Sequence, residues 1–402
     1  MFLFDKTRHE TLSTSRWCDD IVLNEISFIS ADIEQSLTAE ACWPTHPLDA
    51  ESYSRAGPLW CAYAGAAGTV HAMQLLRAYG YLVQDLSDLL PIIYQSYLKL
   101  PDVSLQSGLQ LGEIGILLPA LLADPLNKAL ETRLVLCMEA TLPLPLYEIT
   151  SGQSGMMHAA LALYRSTGKP IWKELYIKGA NALLENWHFD IESKEWHWDS
   201  QVFGVTRRYY GACHGVAGNA NILLQGIDLL DTDYSELIVS RTVDTLQVSA
   251  VQDANNANWL HFANPPVNKM LVQWCHGAAG IVSAMARTPI SSSDYSSQLD
   301  DLLRKAGELV WQAGPLQKGS NICHGTSGNG YAFLYLYRRW GDSIWLERAR
   351  AFAMHAIKQS HSARLLYGQG RYGLWTGDAG LALYLHHCIS PQDAAIPGLD
   401  LF

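Results

Sequence analysis

The sequence predicts an all-α fold, an α/α toroid with seven inner and seven outer helices. Three observations predict it. A Gly-x-x-Gly spacing recurs seven times, each copy runs into an almost wholly apolar segment, and amphipathic segments separate the copies. Self-similarity at such a period marks stacked supersecondary units rather than an ordinary mixed domain.

In chain order the copies are "YAGAAGTVHAMQLL" (Gly65, Gly68), "QLGEIGILLPALL" (Gly112, Gly115) and "ITSGQSGMMHAALALY" (Gly152, Gly155). Then follow "YYGACHGVAGNA" (Gly215, Gly218), "WCHGAAGIV" (Gly277, Gly280), "ICHGTSGNG" (Gly325, Gly328) and "LWTGDAGLALYLHH" (Gly377, Gly380). The runs after the glycines are apolar nearly all round, the mark of a helix buried on every side. Between copies, "KPIWKELYIKGANALLENWH", "SSQLDDLLRKAGELVWQAG" and "DSIWLERARAFAMHAIKQS" place apolar residues at i, i+3, i+4 and i+7. That is the stripe of an outer amphipathic helix.

Copies one and seven are as apolar as the middle ones, whereas an open stack needs polar capping repeats, so the ring is expected to close. Glycine permits the turn into each inner helix and a close approach of neighbouring helices. The spacing matches neither the phosphate-binding loop nor the dinucleotide fingerprint. Aromatic alternation in "WHFDIESKEWHWDSQVFGVTRRYY" predicts a β hairpin between copies three and four. Residues 1–50 carry no copy and are expected to pack on the outer layer, with residues 51–402 forming the seven repeats of one domain.

Composition agrees. Of 402 residues, 49% are hydrophobic and 17% charged, which supplies a large core. A net charge of −11 argues against a nucleic-acid partner, because phosphate binding needs a basic surface. No apolar window is long enough for a membrane span, and the N-terminus lacks a signal-peptide layout, so a cytoplasmic protein is expected. Eight cysteines in so long a chain are thin for a disulfide framework.

Three of those cysteines precede a histidine and a copy's first glycine: Cys213/His214, Cys275/His276 and Cys323/His324. In a toroid, matching positions of adjacent copies become spatial neighbours, so three sulfurs and three imidazoles are expected in one cleft. Helix N-termini there favour thiolate. The chemistry this suggests is zinc, held by two thiolates and one or two imidazoles. One such pair alone would be read as a packing thiol beside a hydrogen-bonded histidine. Three in register favour metal.

The motifs "WCHGAAG", "CHGTSGNGYAFLYLY" and "GACHGVAG", with the seven glycine pairs, resemble the lanthionine synthetase C-like family, which covers lanthipeptide cyclases and their glutathione-linked relatives. The wording "LVQWCHG" and "CHGTSGNGYAFL" is more similar to the glutathione-linked branch. The resemblance implies Zn2+ on Cys275, Cys323 and His324, with His214 as acid/base and Glu148, four residues before the copy-three glycine, as its carboxylate. It implies substrate contacts from Lys318, which matches a lysine of the glutathione-linked branch, and from His276, where peptide cyclases often carry tyrosine. Two positions depart from the pattern. Leu271 stands where the peptide cyclases have arginine, with Lys269 or Arg208 as the nearest substitute charges, and Arg371 is displaced from its expected place.

The implied reaction adds a cysteine or glutathione thiolate to a dehydroalanine or dehydrobutyrine, giving a thioether. The partners it implies are a dehydrated peptide or protein, glutathione, and a dehydratase that prepares the substrate. Two other readings compete. A non-catalytic scaffold would bind zinc and glutathione without turnover. A toroidal glycosidase would need two convergent carboxylates, for which Glu113, Glu148 and Asp378 are the candidates.

Overall fold

The computed structural model describes residues 3–53, 57–103, 106–202, 204–231, 233–263, 269–289 and 294–400. Seven inner helices start at the seven glycine pairs: α3 (Ala66–Ala78), α5 (Glu113–Ala123), α7 (Gln153–Thr167), α9 (Val216–Gln225), α11 (Ala278–Met285), α13 (Thr326–Trp340) and α15 (Asp378–Ile389). Each packs on the next, and α15 returns to α3, so the ring closes as expected. The outer layer consists of α1 (Asp19–Gln35), α4 (Leu90–Lys99), α6 (Lys128–Thr141), α8 (Pro170–Glu185), α10 (Tyr234–Ser249), α12 (Asp294–Ala313) and α14 (Ser343–Tyr367). A short α2 (Pro47–Ser52) follows α1. The outer partner of α15 is α1, from the other end of the described residues.

The second glycine of each pair is a packing requirement. At Gly155 the Ile149 carbonyl oxygen, and at Gly328 the Ile322 carbonyl oxygen, occupies the space a Cβ would take. The chain thus folds back on its own turn before entering the helix, and only glycine fits. Copy five differs in one respect: its first glycine, Gly277, has φ +96, a left-handed conformation that other residues adopt at a cost.

The residue two before each first glycine is Tyr63, Gln110, Thr150, Cys213, Cys275, Cys323 or Trp375. Backbone bonds stitch these positions into a circuit. Tyr63 N–H donates to Gln110 O (2.9 Å), Gln110 to Thr150 (2.9 Å), Cys275 to Cys323 (3.1 Å), Cys323 to Trp375 (3.0 Å) and Trp375 to Tyr63 (2.9 Å). Ile149 N–H donates to Cys213 O at 3.0 Å. Six of the seven junctions between turns are bonded in this way, the exception being that between the Cys213 and Cys275 turns, and these bonds help to fix where the side chains stand.

Between copies three and four the predicted hairpin is two hairpins, β1 (His188–Asp190) with β2 (Glu195–His197), and β3 (Ser200–Val202) with β4 (Val205–Arg207). A third, β5 (Val251–Gln252) with β6 (Ala257–Asn258), precedes copy five and was not legible in the aromatic pattern. At the opposite end of the ring, Asp400 is buried and takes the Arg287 guanidinium and the Tyr335 hydroxyl, which anchors the segment after α15 beneath the inner helices. Among the described residues, no helix is long and apolar enough to cross a membrane.

Candidate functional site

Cys275 and Cys323 come from adjacent copies five and six, and their thiols share a hydrogen bond. Both are buried. The Cys323 contact pulls the Cys275 pKa down, while the same contact and burial push Cys323 up. Two neighbouring thiols that titrate as a pair produce opposite shifts of this kind. Gln273 Nε2 donates to Cys275 Sγ at 2.9 Å, and Tyr63 hydrogen-bonds Cys323 from across the ring.

Glu148 is 1% exposed, yet both oxygens are occupied. Thr150 N–H donates to Oε2 (2.7 Å) and Ser151 N–H to Oε1 (2.6 Å), so the carboxylate shapes its own turn. Oε2 also lies 2.9 Å from His214 Nδ1. Burial alone would lower the His214 pKa, but the Cys213 thiol and the Glu148 carboxylate outweigh it, and the imidazole titrates well above its ordinary value. Its charge reaches Cys275, which places the Glu148–His214 pair beside the two thiols.

The third thiol, Cys213, is buried, with its sulfur 3.3 Å from Thr150 Oγ1, which also donates to Gln110 Oε1 at 3.2 Å. His276 packs its ring 5.7 Å from His214 and 5.8 Å from Tyr209, and burial holds its pKa well below normal. His324 is held down to about 3 by burial, then by the Lys318 charge. It lines a cavity of about 870 Å³ together with Lys318, Lys358 and Arg371.

The structure therefore joins Cys275, Cys323, His214 and Glu148, with Cys213 and His276 adjoining them. The convergence is of two thiols: among the described residues, no group of three His, Cys, Asp or Glu is placed to hold a metal ion. The donors nonetheless suit zinc in kind: two interacting thiols, and His324, the residue after Cys323, whose imidazole burial holds neutral. Arg208 is committed elsewhere, donating to Asp199 (2.7 Å) and Asp190 (2.5 Å) beside the first hairpin. Arg371 lines the cavity but is paired with the buried Asp49. Lys318 forms no ion pair among the described residues and is exposed to the cavity.

The glycosidase carboxylates do not converge. Glu113 is bound by Arg133 (2.7 Å) and Tyr94 (2.6 Å), and Asp378 by Arg364 (2.7 Å) and Ser360 (3.0 Å). Sequence reasoning overlooked Tyr63, Gln110, Thr150 and Gln273. The signal was available: three of them share the ring position of the cysteines, and Gln273 holds in copy five the position Glu148 holds in copy three.

Comparison with known proteins follows this geometry. The family model described as lanthionine synthetase C-like protein matches residues 119–401. The chain is 30% identical over 262 residues to "LanC-like protein GCL1" of Arabidopsis thaliana, covering 63% of this chain and 58% of that protein. It is 30% identical over 194 residues to "Glutathione S-transferase LANCL1" of Danio rerio, covering 48% and 46%. The match thus spans about half the length of these curated relatives. Among solved structures, nisin cyclase superimposes with a TM-score of 0.58 at 15% identity, covering 92% of this chain and 94% of that one, a likeness of fold.

Proposed function

The chain belongs to the lanthionine synthetase C-like family, and on that premise we propose that it forms carbon–sulfur bonds. The reaction is addition of a cysteine or glutathione thiolate to the β-carbon of a dehydroalanine or dehydrobutyrine in a peptide or protein. The observation that carries this reading is the placement of the Glu148–His214 pair beside two interacting buried thiols, Cys275 and Cys323.

Cys275, Cys323 and His324 are the residues that would hold zinc. Bound there, it would lower the pKa of a coordinating substrate thiol so that the thiolate forms near neutral pH. When the sulfur bonds to the β-carbon, the alkene electron pair moves toward the carbonyl as an enolate, and the α-carbon must take a proton. His214 is the donor. Glu148, already accepting two backbone N–H groups, takes the Nδ1 hydrogen, so the proton exchanged with substrate is the one on Nε2. No leaving group departs, and the product is a thioether. Lys318, at the cavity next to His324, suits a carboxylate of the thiol donor.

The test uses a dehydroalanine peptide with a downstream cysteine, and the same peptide without cysteine plus glutathione. Cyclisation leaves the mass unchanged but removes the thiol from alkylation, whereas glutathione addition raises the mass. Cys323→Ala is expected to abolish both products, and undiminished turnover in that variant contradicts the proposal. Leu271, where peptide cyclases carry arginine, favours a second reading, a scaffold that binds zinc and glutathione without turnover. Bound glutathione with no product in either arm would select it.

A further inference from the structure

Above His214, away from the His324 cavity, lies a row of rings that the proposed chemistry does not use. Tyr209 sits 5.4 Å from His214 and 5.9 Å, edge-on, from Phe262. His261 packs 3.9 Å from Phe262 and 5.7 Å from His276, and its buried Nδ1 has no hydrogen-bond partner. The backbone holds this row in place: Tyr209 and Phe262 form an antiparallel bridge, and Ala263 N–H donates to Arg208 O at 2.8 Å.

One guanidinium stands over the row. Arg207, the last residue of β4, lies 4.8 Å above the Phe262 ring, partly exposed. Its neighbour Arg208 is occupied by Asp190 and Asp199. Arg207 forms no ion pair among the described residues, and its side chain donates only to the Thr206 carbonyl, at 3.2 Å. Its charge reaches both Tyr209 and His261, and the exposed Lys269 adds a second cation to the same neighbourhood. The nearby acids are already engaged: Glu148 by His214 and two backbone N–H groups, Asp190 and Asp199 by Arg208.

An unpaired guanidinium clamped on an aromatic face keeps its fork of donors fixed and open. Arg207 ends β4 and Arg208 follows it, and the two meet different partners: Arg208 takes Asp190 and Asp199, whereas Arg207 lies on the Phe262 ring. We propose that Arg207 is a positioning residue that binds a substrate carboxylate bidentately and so aligns the dehydroamino acid with His214. The inference rests on the proposed site of reaction at His214, and adds that the substrate carries an anion there.

Binding, not turnover, tests it. A short dehydroalanine peptide is titrated calorimetrically as the free acid and as its C-terminal amide, and glutathione as the acid and as its diester, against wild type and Arg207→Gln. The account expects the acid peptide to bind wild type about tenfold more tightly than the amide, a typical loss for one charge-assisted pair. That preference should vanish in Arg207→Gln, and Arg207→Lys should keep part of it. If glutathione alone shows the Arg207-dependent preference, the carboxylate comes from the thiol donor and the peptide assignment is overturned. Equal binding of acid and amide to wild type, or a preference that survives in a folded Arg207→Gln, overturns the proposal itself. An acid preference without any thioether product would leave Arg207 as an anion site and sink the catalytic reading instead.

Discussion

Glu148 gives the sharpest case at the scale of a single residue. Its oxygens serve the turn through Thr150 and Ser151 and the imidazole through His214, so its structural and chemical uses are combined. A helix-capping acid would need only the first. Glu148→Gln keeps the size and one acceptor but cannot hold the imidazolium, and second partners of this kind are typically worth 10- to 100-fold. Thioether formation should therefore fall by about 10- to 100-fold, together with a loss of stability of about 1–3 kcal/mol, because the amide nitrogen replaces an acceptor of a buried backbone N–H. An unchanged rate would return Glu148 to a purely structural part. The histidines sort by the same criterion: His158 on α7 is 1% exposed and burial lowers its pKa to about 3, so it is a core histidine, as its place in an apolar run suggested.

At the scale of an element, the unit is the turn that feeds each inner helix. The glycine pairs were legible as a repeat because a carbonyl leaves no room for a Cβ, and that demand falls on the same position each time. In Gly328→Ala the added methyl would meet the Ile322 carbonyl, next to Cys323, so something must shift. Overpacking of this kind costs about 1–3 kcal/mol. A urea unfolding series should show that loss, and an unchanged midpoint would show that the turn tolerates a side chain. The hairpins were only partly legible. Strands of two or three residues, such as β5 and β6, lack the length for a period-two pattern, and β6 is held instead by packing on α12. Arg207 and Arg208 could not be told apart in sequence either, because they become distinct only once Phe262 and Asp190 take their places.

For the whole molecule, closure turns a sequence repeat into a site. Cys275 and Cys323 are 48 residues apart (323 − 275) yet their thiols interact, because copies five and six are neighbours in the ring. Seven inner helices, seven outer ones and the neighbourhood of the cysteines followed from periodicity alone. The outer helix of copy seven did not, since α1 is far from α15 in sequence and meets it only across the closed ring. Nor did the division of labour among the cationic side chains, which depends on which acids reach them: Asp49 takes Arg371, and Asp190 and Asp199 take Arg208. Lys318 and Arg207, on opposite flanks of the cysteines, remain available to anions.

The central claim is that ring closure assembles one zinc centre from Cys275, Cys323 and His324. Elemental analysis of purified protein, expressed with zinc and dialysed free of loose metal, tests it most directly. The account predicts one tightly held zinc per chain in wild type and in Cys213→Ala, and none in Cys275→Ala or Cys323→Ala. Zinc-free wild type that is folded, or zinc retained by the folded Cys275→Ala and Cys323→Ala variants, would contradict it.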